Sequence, residues 1–311
     1  MANMIATRDA YGEALKELGN INKDIVVLDA DLSGSTKTAV FAKAYPDRFF
    51  NVGIAEQNLI GTAAGLATAG KIPFASTFAV FATGRAFEII RNSVCYPKLN
   101  VKIAATHAGL TVGEDGATHQ ALEDLSLMRS LPNMVVLNPA DAVEAKQCIY
   151  KATEYNGPVY IRLGRSKVPV IFGEDYRFEI GKGVELKEGK DISLIATGVM
   201  VEKALLAAER LEEEGISARV INMSTIKPID RDIIIKAANE TKGIVTIEEH
   251  NIIGGLGSAV TEVVSESKPT YVERIGTNDT FGESGDGSAL LEKYGLNVEN
   301  IIDKSKKILS K

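Results

Sequence analysis

The chain has 311 residues, 45% of them hydrophobic, with 35 Lys and Arg against 41 Asp and Glu for a formal net charge of -6, which is length and apolar content for about two domains with a core each. Acids and bases are mixed with no run of like sign, which excludes the electrostatic footprint of a nucleic-acid or membrane-surface binder. No segment offers ~20 uninterrupted apolar residues for a membrane span, and the N-terminus turns polar at once without the apolar run of a secretory signal, so a cytoplasmic location is expected.

In chain order, the first polar positions of interest are Arg8 and the turn Asp31-Leu32-Ser33-Gly34-Ser35, which follows a Val/Ile-rich run at 25–28 that reads as a buried strand. Arg8, this turn and the later Arg165 can together hold an anion, although each alone is most simply a solvated surface group. Next, Asn51-Val52-Gly53-Ile54-Ala55-Glu56 passes into a helix of small residues over 59–69. Its Gly61, Ala64, Gly65 and Ala67 permit close packing, so Glu56 is expected to sit largely out of water, where loss of solvent acts on its charged form. A first-turn acid that merely complements the helix dipole is the simpler reading of the same residue.

A strand over 72–76 runs into Thr77-Phe78-Ala79-Val80-Phe81, where by themselves Phe78 and Phe81 read as core residues rather than a stacking platform. The strand over 101–105 precedes the segment from Thr106 to Gln120, which holds two of the three histidines, His107 and His119, with Asp115 between them. Loops at the carboxyl ends of parallel strands are where α/β proteins build sites, and the glycines here permit turns that bring the three side chains to one cavity. A polar loop with incidental histidines is the plain alternative, while a zinc site is disfavoured because the spacing matches no zinc signature.

Strands over 135–137 and 159–163 flank a helix over 141–155, for which Asp141 can serve as cap and Glu144 complete a capping box. Cys95 and Cys148 lie in apolar, helix-like stretches and read as buried thiols in a reducing compartment. This alternation of strands and helices implies a parallel α/β sheet. The charged, Gly-rich stretch 173–190 reads as a linker, giving a first domain at 1–172 and a second at 191–311. The second domain repeats the rhythm with strands over 192–196, 218–222, 243–248 and 271–275 and a helix over 201–214. Within it, Gly254-Gly255-Leu256-Gly257-Ser258 lacks the full dinucleotide fingerprint.

Taken together, these segments resemble transketolase: Ala6-Thr7-Arg8, Asp31-Leu32-Ser33, Gly53-Ile54-Ala55-Glu56, Thr77-Phe78-Ala79-Val80-Phe81, Thr106-His107, Gly113-Glu114-Asp115-Gly116-Ala117-Thr118-His119-Gln120 and Arg165. Glu248-Glu249-His250, Gly254 to Ser258 and Phe281-Gly282-Glu283-Ser284-Gly285 extend the resemblance over essentially the whole chain. It implies an α/β protein of two domains with mostly parallel sheets, a pyrimidine-binding domain followed by the family's C-terminal domain. It also implies thiamine-diphosphate-dependent transfer of a two-carbon ketol unit from a ketose phosphate to an aldose phosphate, as in the pentose phosphate pathway.

By that resemblance Glu56 hydrogen-bonds and activates the cofactor's aminopyrimidine ring, Phe78 and Phe81 line the pyrimidine pocket, and Asp31 lies near the cofactor. His107, Asp115 and His119 hold sugar hydroxyls and assist proton transfer, and Arg8, Ser35 and Arg165 form the sugar-phosphate clamp. Gln57, Gly84 and Ala117 depart from the long single-chain enzymes, where a histidine, an aromatic residue and a proline are common. A full enzyme also has a diphosphate-binding domain with a Gly-Asp-Gly motif and a downstream asparagine. Here the one matching triplet, Gly285-Asp286-Gly287, has Asn297 and Asn300 too close behind it and reads as coincidence.

The resemblance therefore implies one chain of a split enzyme, with an N-terminal transketolase subunit holding the diphosphate and a divalent metal, magnesium foremost. An α2β2 heterotetramer, in which this chain also pairs with a second copy of itself, is the expected assembly. The same plan appears in deoxyxylulose-phosphate synthase and in β subunits of 2-oxoacid dehydrogenases, and the segment from Gly113 to Gln120 favours transketolase among them. A non-catalytic assembly subunit is the reading from another class. The joint presence of Glu56, Asp115, His119 and Arg165 speaks against it.

Overall fold

A computed structural model describes residues 3–173 and 175–311; Met1, Ala2 and Glu174, the last inside the stretch read as linker, lie outside the described residues. Short runs buried at every position need a sheet covered on both faces, because only sheet neighbours can satisfy their backbone groups. The first half supplies β1 (Met4–Ala6), β2 (Ile25–Asp29), β3 (Phe49–Asn51), β4 (Ile72–Phe78), β5 (Lys102–Thr106), β6 (Val135–Leu137), β7 (Val159–Arg162) and β8 (Lys167–Pro169). The second supplies β9 (Val184–Lys187), β10 (Ile192–Ala196), β11 (Ala218–Asn222), β12 (Thr225–Lys227), β13 (Gly243–Asn251) and β14 (Tyr271–Thr277).

A seven-stranded sheet has the order β12-β6-β7-β5-β4-β2-β3 and is parallel except where β12 joins β6. A five-stranded sheet, β14-β13-β10-β11-β9, is parallel except for the edge strand β9. β1 and β8 form a separate antiparallel pair. Two departures from the sequence reading concern the boundary between domains. β9 lies inside the stretch read as a linker, because its alternating charges suit an edge strand that is half-buried at every position. β12 crosses back from the second half to cap the first sheet, and apolar side chains from both halves share one core around Ile103, Tyr160, Met223 and Ile226.

The helix expected over 141–155 spans Ala142–Glu154, with Asp141 accepting from the Glu144 amide at 2.8 Å. Glu144 reaches back one residue further than a capping box requires, accepting from the Ala140 amide at 2.7 Å. Its other oxygen accepts from Tyr176 Oη at 2.7 Å and Asn222 Nδ2 at 2.8 Å, so the helix start also ties the two halves together. Burial pushes the Glu144 pKa up, while these donors pull it down. Cys95 and Cys148 are buried and unpaired, and burial pushes the Cys95 thiol up to about 11 and Cys148 up as well.

Both glycine-rich segments of the second domain are explained by capping. Glu248 accepts from the amides of Leu256 at 2.7 Å and Gly257 at 2.8 Å, so a buried carboxylate already fills the anion position at the start of helix Leu256–Ser267. Asp286 does the same for Gly287–Lys293, accepting from Ser288 and Ala289 amides at 3.0 Å. His250 is fully buried, donating from Nδ1 to the Asn251 carbonyl at 2.7 Å and accepting at Nε2 from the Ser126 amide at 3.4 Å, a bridge between the halves. Among the described residues no helix is long and apolar enough to cross a membrane.

Candidate active site

Parallel pairing sends the carboxyl ends of β2, β4, β5 and β7 to one edge of the sheet, with Asp29 beside Ser76, Phe78 beside Thr106 and Ala105 beside Arg162. The turns that follow these strands therefore meet, which is where a ligand crevice forms in such sheets. Glu56 opens helix Glu56–Thr68 and is only 2% exposed. Its Oε2 accepts from Arg85 Nη1 at 2.9 Å, and Oε1 has no hydrogen-bond partner among the described residues.

An aromatic row runs away from that pair. The Arg85 guanidinium lies 5.2 Å from the Phe81 ring centroid, Phe81 is near-parallel to Phe78 at 5.9 Å, and Phe78 stacks on His107 at 3.8 Å. His119 presents its ring edge-on to both phenylalanines, at 6.2 and 5.4 Å. A widened π-helical turn, Phe81–Arg85, sets Phe81 and Arg85 over one another. Thus Phe78, buried at 7% exposure, and Phe81 stand in one stacked row with His107 and Arg85.

His107 is 3% exposed and takes a left-handed backbone, φ 57°, which a non-glycine residue adopts rarely and mostly where a site demands it. Arg8 Nη1 lies 3.0 Å from His107 Nε2, and Thr106 Oγ1 lies 2.9 Å from Nδ1. A guanidinium can only donate, so Nε2 is the acceptor and Nδ1 carries the proton. Burial first, then the charges of Arg8 and Arg165, push the His107 pKa down to about 3. This imidazole is neutral.

Arg8 Nη1 also donates to the Ser35 carbonyl at 3.0 Å, so Ser35 enters through its backbone and not its hydroxyl, while Arg8 Nε is buried without a partner. Arg165 Nη1 donates to the Val112 carbonyl and to Glu114 Oε2, the latter at 2.9 Å, which braces the turn Leu110–Asp115. Asp115 is exposed at the end of that turn and makes no ion pair or side-chain hydrogen bond among the described residues. His119 is half-buried, with Thr118 Oγ1 2.9 Å from Nδ1. Asp31 has no hydrogen bond or ion pair with the residues of the aromatic row among the described residues. Its carboxylate accepts from Asn51 Nδ2 at 2.9 Å, tying the ends of β2 and β3.

Sequence reasoning missed three contributors. Arg85 could not be placed, because nothing in the periodicity marks the π-helical turn that carries it to Glu56. Asp29, fully buried, accepts from the Leu32 amide at 2.6 Å and from the Thr36 and Thr38 hydroxyls at 2.7 and 2.8 Å, shaping the turn that brings Ser35 to Arg8. Burial pushes the Asp29 pKa up, against the pull of those donors. Gln120 Nε2 donates to the carbonyls of Leu110, Gly113 and Glu283 at 3.2, 3.4 and 2.9 Å, holding the loop closed. Gln57, Gly84 and Ala117 are all exposed.

The family model for the transketolase pyrimidine-binding domain matches residues 3–170, and that for the transketolase C-terminal domain matches residues 181–301. A Methanocaldococcus jannaschii protein provisionally named a transketolase C-terminal section is 57% identical over 297 residues, 94% of this chain and 93% of its own length. A Clostridium sp. protein named 6-deoxy-6-sulfo-D-fructose transketolase subunit SqwH is 42% identical over 95% of this chain and 92% of its own. A solved structure described as a split gene transketolase, inactive β4 tetramer, superposes with a TM-score of 0.93 at 63% identity, over 98% of this chain and 99% of that one.

Proposed function

The chain belongs to the transketolase family, and from that premise we propose that it is the subunit of a two-chain transketolase that carries the pyrimidine side of a thiamine-diphosphate site. With a partner chain holding the diphosphate and a divalent metal such as magnesium, it transfers a two-carbon ketol unit from a ketose phosphate to an aldose phosphate. The observation that carries this reading is the buried Glu56 with one unpartnered oxygen beside the Phe78 and Phe81 faces. A flat aminopyrimidine wants an apolar wall for its face and a carboxyl for its ring nitrogen, and these residues fit both demands. The two-chain arrangement is supported by relatives of matching length, one named a subunit and one described as an inactive β4 tetramer.

Thiamine diphosphate, when bound, supplies the nucleophilic carbon that breaks and remakes the carbon–carbon bond. Glu56 orients and hydrogen-bonds the ring through Oε1. Phe78 and Phe81 exclude water from its face. His107, held neutral by burial and Arg8, has Nε2 engaged by Arg8 and Nδ1 by Thr106 Oγ1, so it fixes Arg8 and the stacked Phe78 ring in place, and proton transfer falls to His119 and Asp115 at the open side. Arg8 and Arg165 supply positive charge for the sugar phosphate.

In the assembled enzyme Glu56→Gln is expected to keep the fold and cofactor affinity within a few-fold while kcat falls at least a hundredfold, the range for loss of a group acting in proton transfer. Steady-state kinetics at saturating thiamine diphosphate measure it. Near-normal turnover would remove Glu56 from the activating role.

A further inference from the structure

The family assignment leaves open what the second domain does for the reaction, and the packing around the 107–120 loop answers it. Glu249, near the end of β13, is 2% exposed, and its Oε1 accepts from the Thr111 amide at 2.6 Å. Gly109 has φ 82°, and a Cβ there would fall on the Glu249 carboxylate, so this loop position needs glycine for both reasons. Burial pushes the Glu249 pKa up, while the Arg162 charge and the Thr111 amide pull it down. A carboxyl that costly to bury is well compensated only if its acceptors are used, and here the use is on loop backbone.

The same domain grips the rest of the loop. Gln120 Nε2 donates to the Glu283 carbonyl at 2.9 Å, and the Asn251 amide donates to the Leu122 carbonyl at 2.7 Å. Arg162 Nη2 donates to the carbonyls of Ala121 at 3.3 Å and Glu249 at 2.9 Å, joining the loop's far end to the base of the clamp. Ser284 abuts Gly116, and Gly287 abuts Thr111. Both ends and the middle of the loop are pinned, while Asp115 and His119 stay accessible.

We propose that Glu249 is the positioning residue for this loop, and that the second domain acts in the reaction by holding His107, Asp115 and His119 in register for the sugar. The inference rests on the reading that this loop meets the sugar. Glu249→Ala and Glu249→Gln, compared with wild type in the full chain and in the complex with its partner, test it by two routes. In Glu249→Ala, amide exchange across 109–116 should quicken in the free chain. In the complex, KM for the ketose phosphate should rise about tenfold, the loss of one buried hydrogen bond, with the thiamine diphosphate Kd unchanged. Glu249→Gln keeps an acceptor for the Thr111 amide and should restore both most of the way. The proposal is overturned by unchanged exchange at 109–116 in Glu249→Ala, by a loss of cofactor affinity that parallels the KM effect, or by a Gln variant no better than Ala. If the wild-type complex transfers no ketol unit, the functional reading fails, whereas the exchange comparison still decides the clamp.

Discussion

His107 owes its neutrality to its neighbours, and that fixes a pH window. Its folded pKa lies at about 3, below the ordinary 6.5, because the buried ring faces Arg8 and Arg165. The unfolded chain takes up this proton near pH 6.5 and the folded one does not until about pH 3, so the contribution is complete above 6.5 and is lost as pH falls through that interval. A His107→Asn variant removes the titration while tolerating the left-handed backbone. Relative to this variant, the wild type should lose about 1.4 kcal/mol of stability per pH unit between pH 6 and 4. Urea unfolding of both chains at stepped pH measures the difference, and a difference that does not change with pH would mean that the ring is not held neutral. Other buried acids, such as Glu249 and Asp29, shift in the raised direction and act oppositely, which is why the comparison must be between variants.

At the scale of elements, whatever had a period or a cap could be read in the sequence. Five strands of the first sheet, β2, β4, β5, β6 and β7, and four of the second were legible from apolar runs, and helix Ala142–Glu154 from Asp141 and Glu144. β3 and β12, three residues each, lack the aliphatic run that marks the equally short β6, and β9 looks like linker because its charges belong to a sheet edge. Within the candidate site, His107 was singled out because it follows a strand end, whereas Phe78 by itself read as core and entered only through the family resemblance. Arg85 was not legible, since its partnership depends on a widened turn, and neither was the carbonyl role of Ser35. Glu144 also does more than its capping pattern announces. Replacing it by Ala would orphan the Ala140 amide, the Tyr176 hydroxyl and the Asn222 amide group in a buried junction. The expected cost is about 3 kcal/mol. Chemical denaturation measures it, and a loss under about 1 kcal/mol would show that the junction does not depend on this carboxyl.

For the whole molecule, the proposed function makes this site one half of a site shared with a partner chain. The groups assigned to it lie at an open edge: among the described residues Asp115 is exposed without a partner, and Glu56 keeps one oxygen unused. Large apolar side chains stand on the segments that build or brace that edge, with Ile54 79% exposed two residues before Glu56 and Phe281 81% exposed beside the glycine that packs on Gln120. We propose that the partner chain covers these two side chains in the assembled complex. The cofactor's ring alone gives the free chain little purchase, because diphosphate and metal contacts supply much of the affinity for such a charged ligand. The purified chain with thiamine diphosphate and magnesium should therefore give no ketol transfer. Titrating in the partner chain should restore it, with the rate levelling off near equimolar ratio as an α2β2 complex requires. Substituting Phe281→Asp should shift that titration to higher partner concentration with little change in the unfolding of the free chain, because the side chain is 81% exposed there. Robust cofactor-dependent turnover by the single chain, or a titration unaffected by both Phe281→Asp and Ile54→Asp, would place the covered surface and the missing half elsewhere.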